Sequence, residues 1–550
     1  MSSARFAPAT ALLRSFAVGS ALIAGVVLPA GAALADEPAG TTVVGTLLQA
    51  WPESQHAVDG VAEAPISWVQ NADGETFRIP TEQVDGITPG TTVEVTVDTP
   101  ADSEDDGTHE DPLYPVTNTT VVATPPPAPV LRDPAGLTNQ VTVVRVNPDG
   151  VAPDDVTARQ LVDVVDTQVT DFWSEQSNGA IAVGVTRSVA DWVAPSAGCA
   201  DPTAMWDEVA ATVHFTPGPG KHLLLYVSRA ATNCSYALGE VGSAPTSGGR
   251  MYVRDTAASV IAHELGHNFG LGHSSGQQCD AAVESATCTT TAYRDYYDVM
   301  GVSWARLGTL NAPQAARLGV LPAAQQQALT VRSGASTVTL ASFAGRTGTR
   351  ALRLTDADGV DYWLEYRTAT GRDAWLATTE NRYHLQSGVL LHKAGGLPDT
   401  SLLLDGTPSA AAGWATDLEE ALPVGTAVPV SGGDFSVVVQ SADANGAVLR
   451  ITPTPPAVAP AKAPRPVVAA PEVLPGAQAV APPTHATPGF WAPPYEAPRA
   501  VAATPALAPA ADSTTGSSGL LVAAGGAVLA FATLLVVKRL KGRSLRTGSR

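Results

Sequence analysis

Basic residues are scarce in this chain of 550 residues, which has 32 lysines and arginines against 52 aspartates and glutamates. The formal net charge is −20, and without two arginines near the N-terminus and six basic residues at the C-terminus it is −28 for residues 36–537. A surface this acidic repels nucleic acids and anionic lipid headgroups. The composition therefore argues against a nucleic-acid-binding protein, while 45% hydrophobic residues allow buried cores in about three domains.

Two long apolar runs lie at opposite ends of the chain. The first, 16–29, follows two arginines and precedes a small-residue cleavage site at Ala35, which predicts a secretory signal peptide over residues 1–35. The second, 519–537, has 19 uncharged residues, enough to span a bilayer, and the basic tail 538–550 follows it. Because positive residues stay cytoplasmic, we expect an exported protein anchored in the cytoplasmic membrane by a C-terminal helix.

Cysteine is equally scarce, with four in the whole chain, and no two of them have the C-x-x-C spacing of a metal site. In an exported chain cysteines are expected to pair as disulfides. Four cysteines allow three pairings. Proximity along the chain favours Cys199 with Cys234 and Cys279 with Cys288.

One stretch, residues 260–273, has the spacing of a metal site and reads VIAHELGHNFGLGH. His263 and His267 are four positions apart, so on a helix they project from one face, one turn apart. Gly270 permits the left-handed backbone conformation of a sharp turn. Such a turn would bring His273 back towards the other two histidines.

Three neutral imidazole nitrogens leave the fourth position of a tetrahedral zinc ion open for water, which is the catalytic arrangement. Glu264 lies beside the first histidine, where it could take the proton of that water. The motif therefore predicts one catalytic zinc ion, Glu264 as the general base, and three metal ligands, His263, His267 and His273.

Further along the chain lies a second motif, Asp295-Tyr-Tyr-Asp-Val-Met-Gly301. With the histidine motif it resembles the metzincin clan of zinc endopeptidases. The strings HELGHNFGLGH, YDVMG and LNAPQAARLG are most similar to the gametolysin-like family and its secreted bacterial relatives. The resemblance implies an α/β (α+β) catalytic domain over residues 135–325, with a mixed sheet and the zinc helix behind it. It also assigns Met300 to the turn that forms a floor under the zinc.

Some residues depart from other metzincins. Val302 stands where astacins carry a tyrosine ligand, so we expect no such ligand, and we expect Tyr296 and Tyr297 to pack the turn. No cysteine precedes Cys199, which excludes a thiolate that caps the zinc from an N-terminal prodomain.

Two further β-rich regions flank the predicted catalytic domain. Short strands and a turn at 71–74 predict a small β-domain within residues 36–130, which its position suggests is a prodomain. Its acidic run 102–111 could cap the zinc with a carboxylate, but a solvated loop is the favoured interpretation. Alternating residues in 328–452 predict a β-sandwich, which either braces the protease or binds substrate, and the Pro/Ala-rich segment 453–518 predicts an extended stalk.

The favoured function is a cell-surface zinc endopeptidase that acts on proteins or peptides. The alternative is a surface adhesin or binding module with a structural, non-catalytic zinc site. Glu264 favours the enzyme, because a structural site has no use for a general base.

A chain that stops at Ala510 loses the predicted membrane span but keeps the predicted signal peptide and all predicted domains. We expect this truncated chain in the culture medium and the full chain in the membrane fraction, because a stalk without a packed core can be cut without unfolding the rest. Fractionation with immunoblotting checks the distribution. A truncated chain that stays membrane-bound would show that another segment, such as an uncleaved signal peptide, is the anchor.

Overall fold

The computed structural model describes residues 40–54, 64–100, 111–125, 136–302 and 306–455. The predicted signal peptide, the stalk beyond residue 455, the predicted membrane span and the basic tail lie outside these described residues. Within the described ranges, no helix is long and apolar enough to cross a membrane. The described part has several sheets and few helices, which confirms the prediction of a mixed α/β protein.

The helices and strands are numbered in chain order. The α-helices are α1 (Ala158–Val164), α2 (Thr170–Ser177), α3 (Pro202–Thr212), α4 (Ala258–Asn268) and α5 (Ala312–Arg317). The strands in the first half are β1 (Thr41–Glu53), β2 (Ile66–Asn71), β3 (Thr76–Ile79), β4 (Thr92–Val97), β5 (Val116–Ala123), β6 (Asn139–Val146), β7 (Val183–Val193), β8 (Lys221–Val227), β9 (Ala237–Glu240) and β10 (Gly249–Val253). Those in the second half are β11 (His273–Cys279), β12 (Cys288–Thr291), β13 (Gln326–Thr330), β14 (Ser336–Leu340), β15 (Ala351–Thr355), β16 (Asp361–Arg367), β17 (Gly388–Ala394), β18 (Asp399–Leu404), β19 (Ala427–Val430), β20 (Phe435–Asp443) and β21 (Gly446–Pro453).

The largest sheet has ten strands, and its main path runs β3-β2-β1-β9-β10-β8-β6-β7. The strands β10, β8, β6 and β7 run parallel to one another, whereas β9 runs antiparallel to β10. Nearly every residue of β6 and β8 is buried, as expected for parallel strands covered on both faces. The helix α4, which carries the histidine motif, packs against β9 and β10.

The strand β1 joins the N-terminal region to this sheet. The N-terminal module, defined as the described residues between 40 and 125, contains β1 to β5, and β1 pairs within it with β2 and β4. The last four residues of β1 pair with β9, with Glu53 opposite Ala237. The sequence predicts a strand only over residues 42–48, so the last five residues of β1 are a finding of the structure.

The remaining two sheets share one core. A seven-stranded sheet has the order β12-β11-β18-β17-β16-β15-β13, and a four-stranded sheet has the order β14-β21-β20-β19. Buried residues of both sheets form a common hydrophobic cluster that includes Leu340, Leu364 and Ile451. The strand β11 begins at His273, the last residue of the histidine motif, so this sheet is continuous with the motif.

Both disulfides predicted from proximity are present. One joins Cys199 to Cys234, and the other joins Cys279 to Cys288. The second pair lies at matching positions of β11 and β12, so it closes the hairpin that starts at His273.

A buried ion cluster connects the seven-stranded sheet to the segment before α5. The Arg367 guanidinium lies between the carboxylates of Glu365, at 2.6 Å, and Asp373, at 3.4 Å, and all three side chains are fully or almost fully buried. Arg367 also donates to the carbonyl of Thr309, while Glu365 accepts from the backbone N–H of Ala312 at the start of α5. Burial opposes the ionisation of Glu365, but the Arg367 charge outweighs it and lowers the pKa of Glu365 to about 2.

We expect Arg367→Leu to destabilise the protein by about 3–5 kcal/mol, because it leaves two buried carboxylates without their counter-charge. The matched control is Arg353→Leu in the neighbouring strand, whose pair with Asp361 is partly exposed. That change should cost about 0–1 kcal/mol. Urea unfolding midpoints check both values, and equal losses in the two variants would contradict the role of the buried cluster.

Candidate metal centre

The helix α4 presents two of the predicted ligands from a fully buried position. His263, Glu264 and His267 are all buried. Gly266 lies between them, and a Cβ atom on this residue would stand 2.3 Å from the Met300 sulfur. Glycine is therefore needed at this position, because the methionine of the second motif packs directly against the helix.

A tight turn brings in the third histidine. Gly270 has a φ of 94°, in the left-handed region that glycine favours. The backbone N–H of His273 then donates to the carbonyl of Pro398 at 2.8 Å, and the N–H of Gly272 donates to the Thr400 hydroxyl. The third histidine is thus held by a segment more than 120 positions further along the chain, a contact that no pattern in the sequence predicts.

Backbone carbonyls fix the tautomers of the two helical histidines. The Nδ1–H of His263 donates to the carbonyl of Val299 at 2.8 Å, and the Nδ1–H of His267 donates to the carbonyl of Leu271 at 2.9 Å. A carbonyl oxygen only accepts, so the proton is on Nδ1 and the lone pair is on Nε2. This is the arrangement of histidines that bind a metal through Nε2.

The three Nε2 atoms converge on one carboxylate oxygen, which belongs to Glu53. Its Oε1 lies 3.3 Å from Nε2 of His263, 3.1 Å from that of His267 and 3.0 Å from that of His273. Ligands at about 2.0–2.1 Å from a tetrahedral zinc ion lie roughly 3.3 Å from one another. The three distances from Glu53 match this spacing, and all four ligand atoms lie within 4.8 Å of one another, close enough to share one metal ion.

The electrostatics also suit a cation. Burial lowers the pKa of His267, and it lowers the pKa of His273 to about 4, so these imidazoles are neutral at neutral pH. Burial opposes the ionisation of Glu53, but positive charge on the side of His273 and His263 outweighs it and lowers the pKa of Glu53 well below its usual range. With neutral imidazoles this positive charge is missing, so Nε2 lone pairs face a carboxylate in a buried site, and a metal ion supplies the charge.

Glu264 lies beside this cluster without using its hydrogen-bonding capacity. Both of its carboxylate oxygens are buried and accept no hydrogen bond from any described residue. A Cβ atom on Gly239 of β9 would stand 2.6 Å from Oε2, so glycine there makes room for the carboxylate. Burial raises the pKa of Glu264 well above its usual value, and the nearby charge of Glu53 raises it further.

The turn around Met300 is held by two aspartates of the second motif. Asp298 accepts from the backbone N–H of Met300 at 2.6 Å and from that of Asn311 at 2.5 Å. Asp295 accepts from the hydroxyl of Ser274 at 2.7 Å and from the side-chain amide of Asn311 at 3.1 Å. The motif thus ties the residue after the third histidine to the start of α5.

Three tyrosines pack around the same turn. Tyr293 lies against the ring of His273, with 4.1 Å between the centroids. Tyr296 stacks on Tyr383, and the buried Tyr297 donates to the carbonyl of Gln386. The predicted packing role of Tyr296 and Tyr297 agrees with these contacts, whereas Tyr293 was not singled out from the sequence.

The carboxylate at the cluster belongs to Glu53 and not to the acidic run 102–111 considered in the sequence analysis. In the acidic run 102–111, Asp111 is the one described residue, and it accepts from the indole N–H of Trp68 at 2.7 Å. Glu53 was missed because it stands alone after Trp51-Pro52, with no spacing that relates it to the histidines. Only the pairing of β1 with β9 brings it there.

We expect His267→Ala to lose most of its metal during dialysis, because one of three converging imidazoles is removed. The matched control is His384→Asn, since His384 is an exposed histidine outside the cluster with a φ of 55°, which asparagine tolerates. Elemental analysis of both variants checks the expectation. One tightly held zinc per chain in His267→Ala would contradict this ligand assignment.

Comparison with known proteins agrees with this site over part of the chain. The model of a family described as Reprolysin_5, metallo-peptidase family M12, matches residues 209–310. The matched range contains the three histidines, Glu264 and Met300, but neither Glu53 nor the segment around Pro398. No curated protein matches the sequence. The family match and the buried cluster of one glutamate and three histidines together support a zinc-dependent metallopeptidase.

Proposed function

We propose that this protein is a zinc endopeptidase of the metzincin type that hydrolyses peptide bonds in proteins or peptides. The observation that supports it most is the buried, unpaired carboxylate of Glu264 beside three converging imidazole nitrogens. A purely structural metal site gains nothing from a buried carboxylate that makes no hydrogen bond, because such a group costs free energy.

In this proposal His263, His267 and His273 hold one zinc ion. When bound, zinc polarises the substrate carbonyl and makes a water molecule more acidic. Glu264 takes a proton from the water that attacks the peptide carbonyl, and it returns the proton to the departing amine. Burial raises the pKa of Glu264, and a higher proton affinity makes its carboxylate a stronger base towards that water.

A surface binding module with a structural zinc site is the second candidate. It is favoured by one observation, the position of Glu53 as a fourth potential metal ligand, because structural zinc sites have four protein ligands. In that case Glu53 would be required to retain the metal, and Glu264 would not matter for any activity.

The cellular setting is part of the same proposal. The apolar run 16–29 and its cleavage site support export, and the run 519–537 with its basic tail supports an anchor that keeps the peptidase outside the cell. The acidic composition suits an extracellular protein that does not bind nucleic acid. Within the metzincin clan, the quoted motifs favour the gametolysin-like family and its bacterial relatives.

Glu264→Ala tests the general base. We expect the variant to keep its zinc, because the three imidazoles remain, and to lose casein cleavage by about 10²–10⁴-fold or more. The matched control is Glu419→Ala, an exposed glutamate outside the site, which should cleave as the parent does.

Casein cleavage is measured in the parent and in a Glu53→Gln chain, in which the fourth potential metal ligand is weakened. Each chain is measured alone, with chelator, and after zinc is restored. Loss of cleavage with chelator and recovery with zinc are expected. Failure of both chains to cleave casein, or equal cleavage by Glu264→Ala, would refute the peptidase.

A further inference from the structure

The strand β1 pairs at its end with the strand that borders the metal cluster. Ala50 to Glu53 pair with β9, and among the described residues the only other neighbour of β9 is β10. Without β1, β9 would be an edge strand with free backbone N–H and C=O groups. Such an edge binds an extended peptide by adding it to the sheet as one more strand.

Backbone hydrogen bonds set how far this strand reaches towards the cluster. The carbonyl of Gln49 accepts from the N–H of Val241 at 2.8 Å, and the carbonyl of Glu53 accepts from the N–H of Tyr236 at 2.7 Å. The contact is thus fixed at both ends. Its register places the Glu53 side chain over the cluster, where Oε1 lies within 3.3 Å of all three Nε2 atoms.

A second residue of β1 covers the cluster from the side. The Trp51 ring is 2% exposed. It stacks on His267 with 6.3 Å between centroids, and it meets His273 edge-on at 5.2 Å. With Trp51 and the fully buried Glu53 in place, no substrate carbonyl can approach the three nitrogens.

Glu264 shows the consequence of this crowding. A water that attacks a substrate must lie within hydrogen-bond reach of its carboxylate. The Oε1 atom of Glu53 lies within 3.3 Å of all three Nε2 atoms instead, and Glu264 has no hydrogen-bond partner among the described residues. The proposed base is present, but Glu53 takes the position that the attacking water would need.

We propose that the N-terminal module is an intramolecular inhibitor of the peptidase, in which β1 takes the position of a substrate strand on β9 and Glu53 is the fourth metal ligand in place of water. This inference rests on the proposed function. It makes the four-ligand site a latent state, which opens when the end of β1 leaves β9. A ligand carried on the same chain has a high effective concentration, so a single carboxylate is enough to hold the site closed.

The module is built so that the end of β1 can leave without unfolding it. Val43, Leu47, Val69 and Val93 belong to a hydrophobic core within the module itself. Of the last four residues of β1, Ala50 belongs to a separate cluster, in which Trp68 of the module also packs with residues of α3 and β8. Release of Ala50 to Glu53 therefore leaves the module core in place.

The test uses the full chain carrying Glu264→Ala, which prevents self-cleavage, loaded with cobalt(II) as a spectroscopic substitute for zinc. In this background Glu53→Gln is compared with Glu82→Gln, an exposed glutamate of the same module. The readouts are cobalt content, the visible absorption spectrum of the metal, and the affinity of acetohydroxamate, a small ligand that needs a vacant metal position.

We expect Glu53→Gln to keep its cobalt, to change the spectrum, and to bind acetohydroxamate on the order of 10–100-fold more tightly, since binding no longer requires displacement of β1. Glu82→Gln should match its parent in all three. Glu53→Ala serves as a second variant in case the glutamine oxygen keeps the ligand position.

An unchanged spectrum and unchanged acetohydroxamate affinity in both Glu53 variants would overturn the proposal. Loss of cobalt together with loss of the native circular dichroism spectrum would overturn it too, because Glu53 would then be a permanent structural ligand. With Glu264 intact, the unprocessed Glu53→Gln chain should cleave casein at least about tenfold faster than the parent. A changed cobalt spectrum in a chain that never cleaves casein would uphold the ligand and refute only the peptidase.

Discussion

Hydrogen-bond acceptors face one another at the centre of this protein, and the whole site depends on how their repulsion is relieved. The carbonyls of Val299 and Leu271 take the Nδ1 protons of His263 and His267, so the Nε2 lone pairs of both rings point at the carboxylate of Glu53. All four side chains are buried, so bulk solvent does not screen them. A metal ion would supply the missing positive charge, and the four ligand atoms lie within 4.8 Å of one another, close enough to share one ion.

The cluster requires close approach between parts of the chain that are far apart in sequence. Gly266 admits the Met300 sulfur beside the helix, and Gly239 leaves room for the Glu264 carboxylate. Gly272 has the same role on the other side, where a Cβ atom would stand 2.2 Å from the carbonyl of Pro398. These three positions explain why glycine recurs around the site, since any larger residue would push the ligands or the base out of place.

The β-rich region after residue 328 takes part in the site. The strand β18 pairs with β11 from His273 onwards, and the Pro398 carbonyl fixes the backbone of that histidine. The buried ions around Arg367 tie the same region to the start of α5. These contacts agree with bracing, one of the two roles that the sequence analysis considered for this region.

Four potential metal ligands lie together, and beside them the Glu264 carboxylate has no hydrogen-bond partner in the described part of the chain. The first feature favours a structural site and the second a catalytic one, if the site is considered static. They are compatible if the fourth ligand belongs to a module that can leave. The carboxylate of Glu53 is the contribution of that module, while the three imidazoles and Glu264 belong to one short motif.

Features that depend on neighbouring residues could be predicted from the sequence alone. The spacing of His263, Glu264 and His267 predicts their common helix face because helical geometry repeats over short distances, and Gly270 predicts the turn because only glycine adopts its backbone conformation readily. Alternating residues predicted a β-rich region over 328–452, which contains strands such as β14 and β16, and proximity predicted both disulfides.

The two groups that complete the site, the Glu53 carboxylate and the Pro398 carbonyl, could be found only from the tertiary structure. Glu53 lies 210 positions before His263, and the Pro398 carbonyl lies 125 positions after His273. Neither has a local pattern, because each is placed by strand pairing, β1 with β9 and β18 with β11. Pairing register depends on the packing of whole sheets and not on residues that are adjacent in sequence. A solitary glutamate at a strand end therefore joins the three histidines only once the fold has formed.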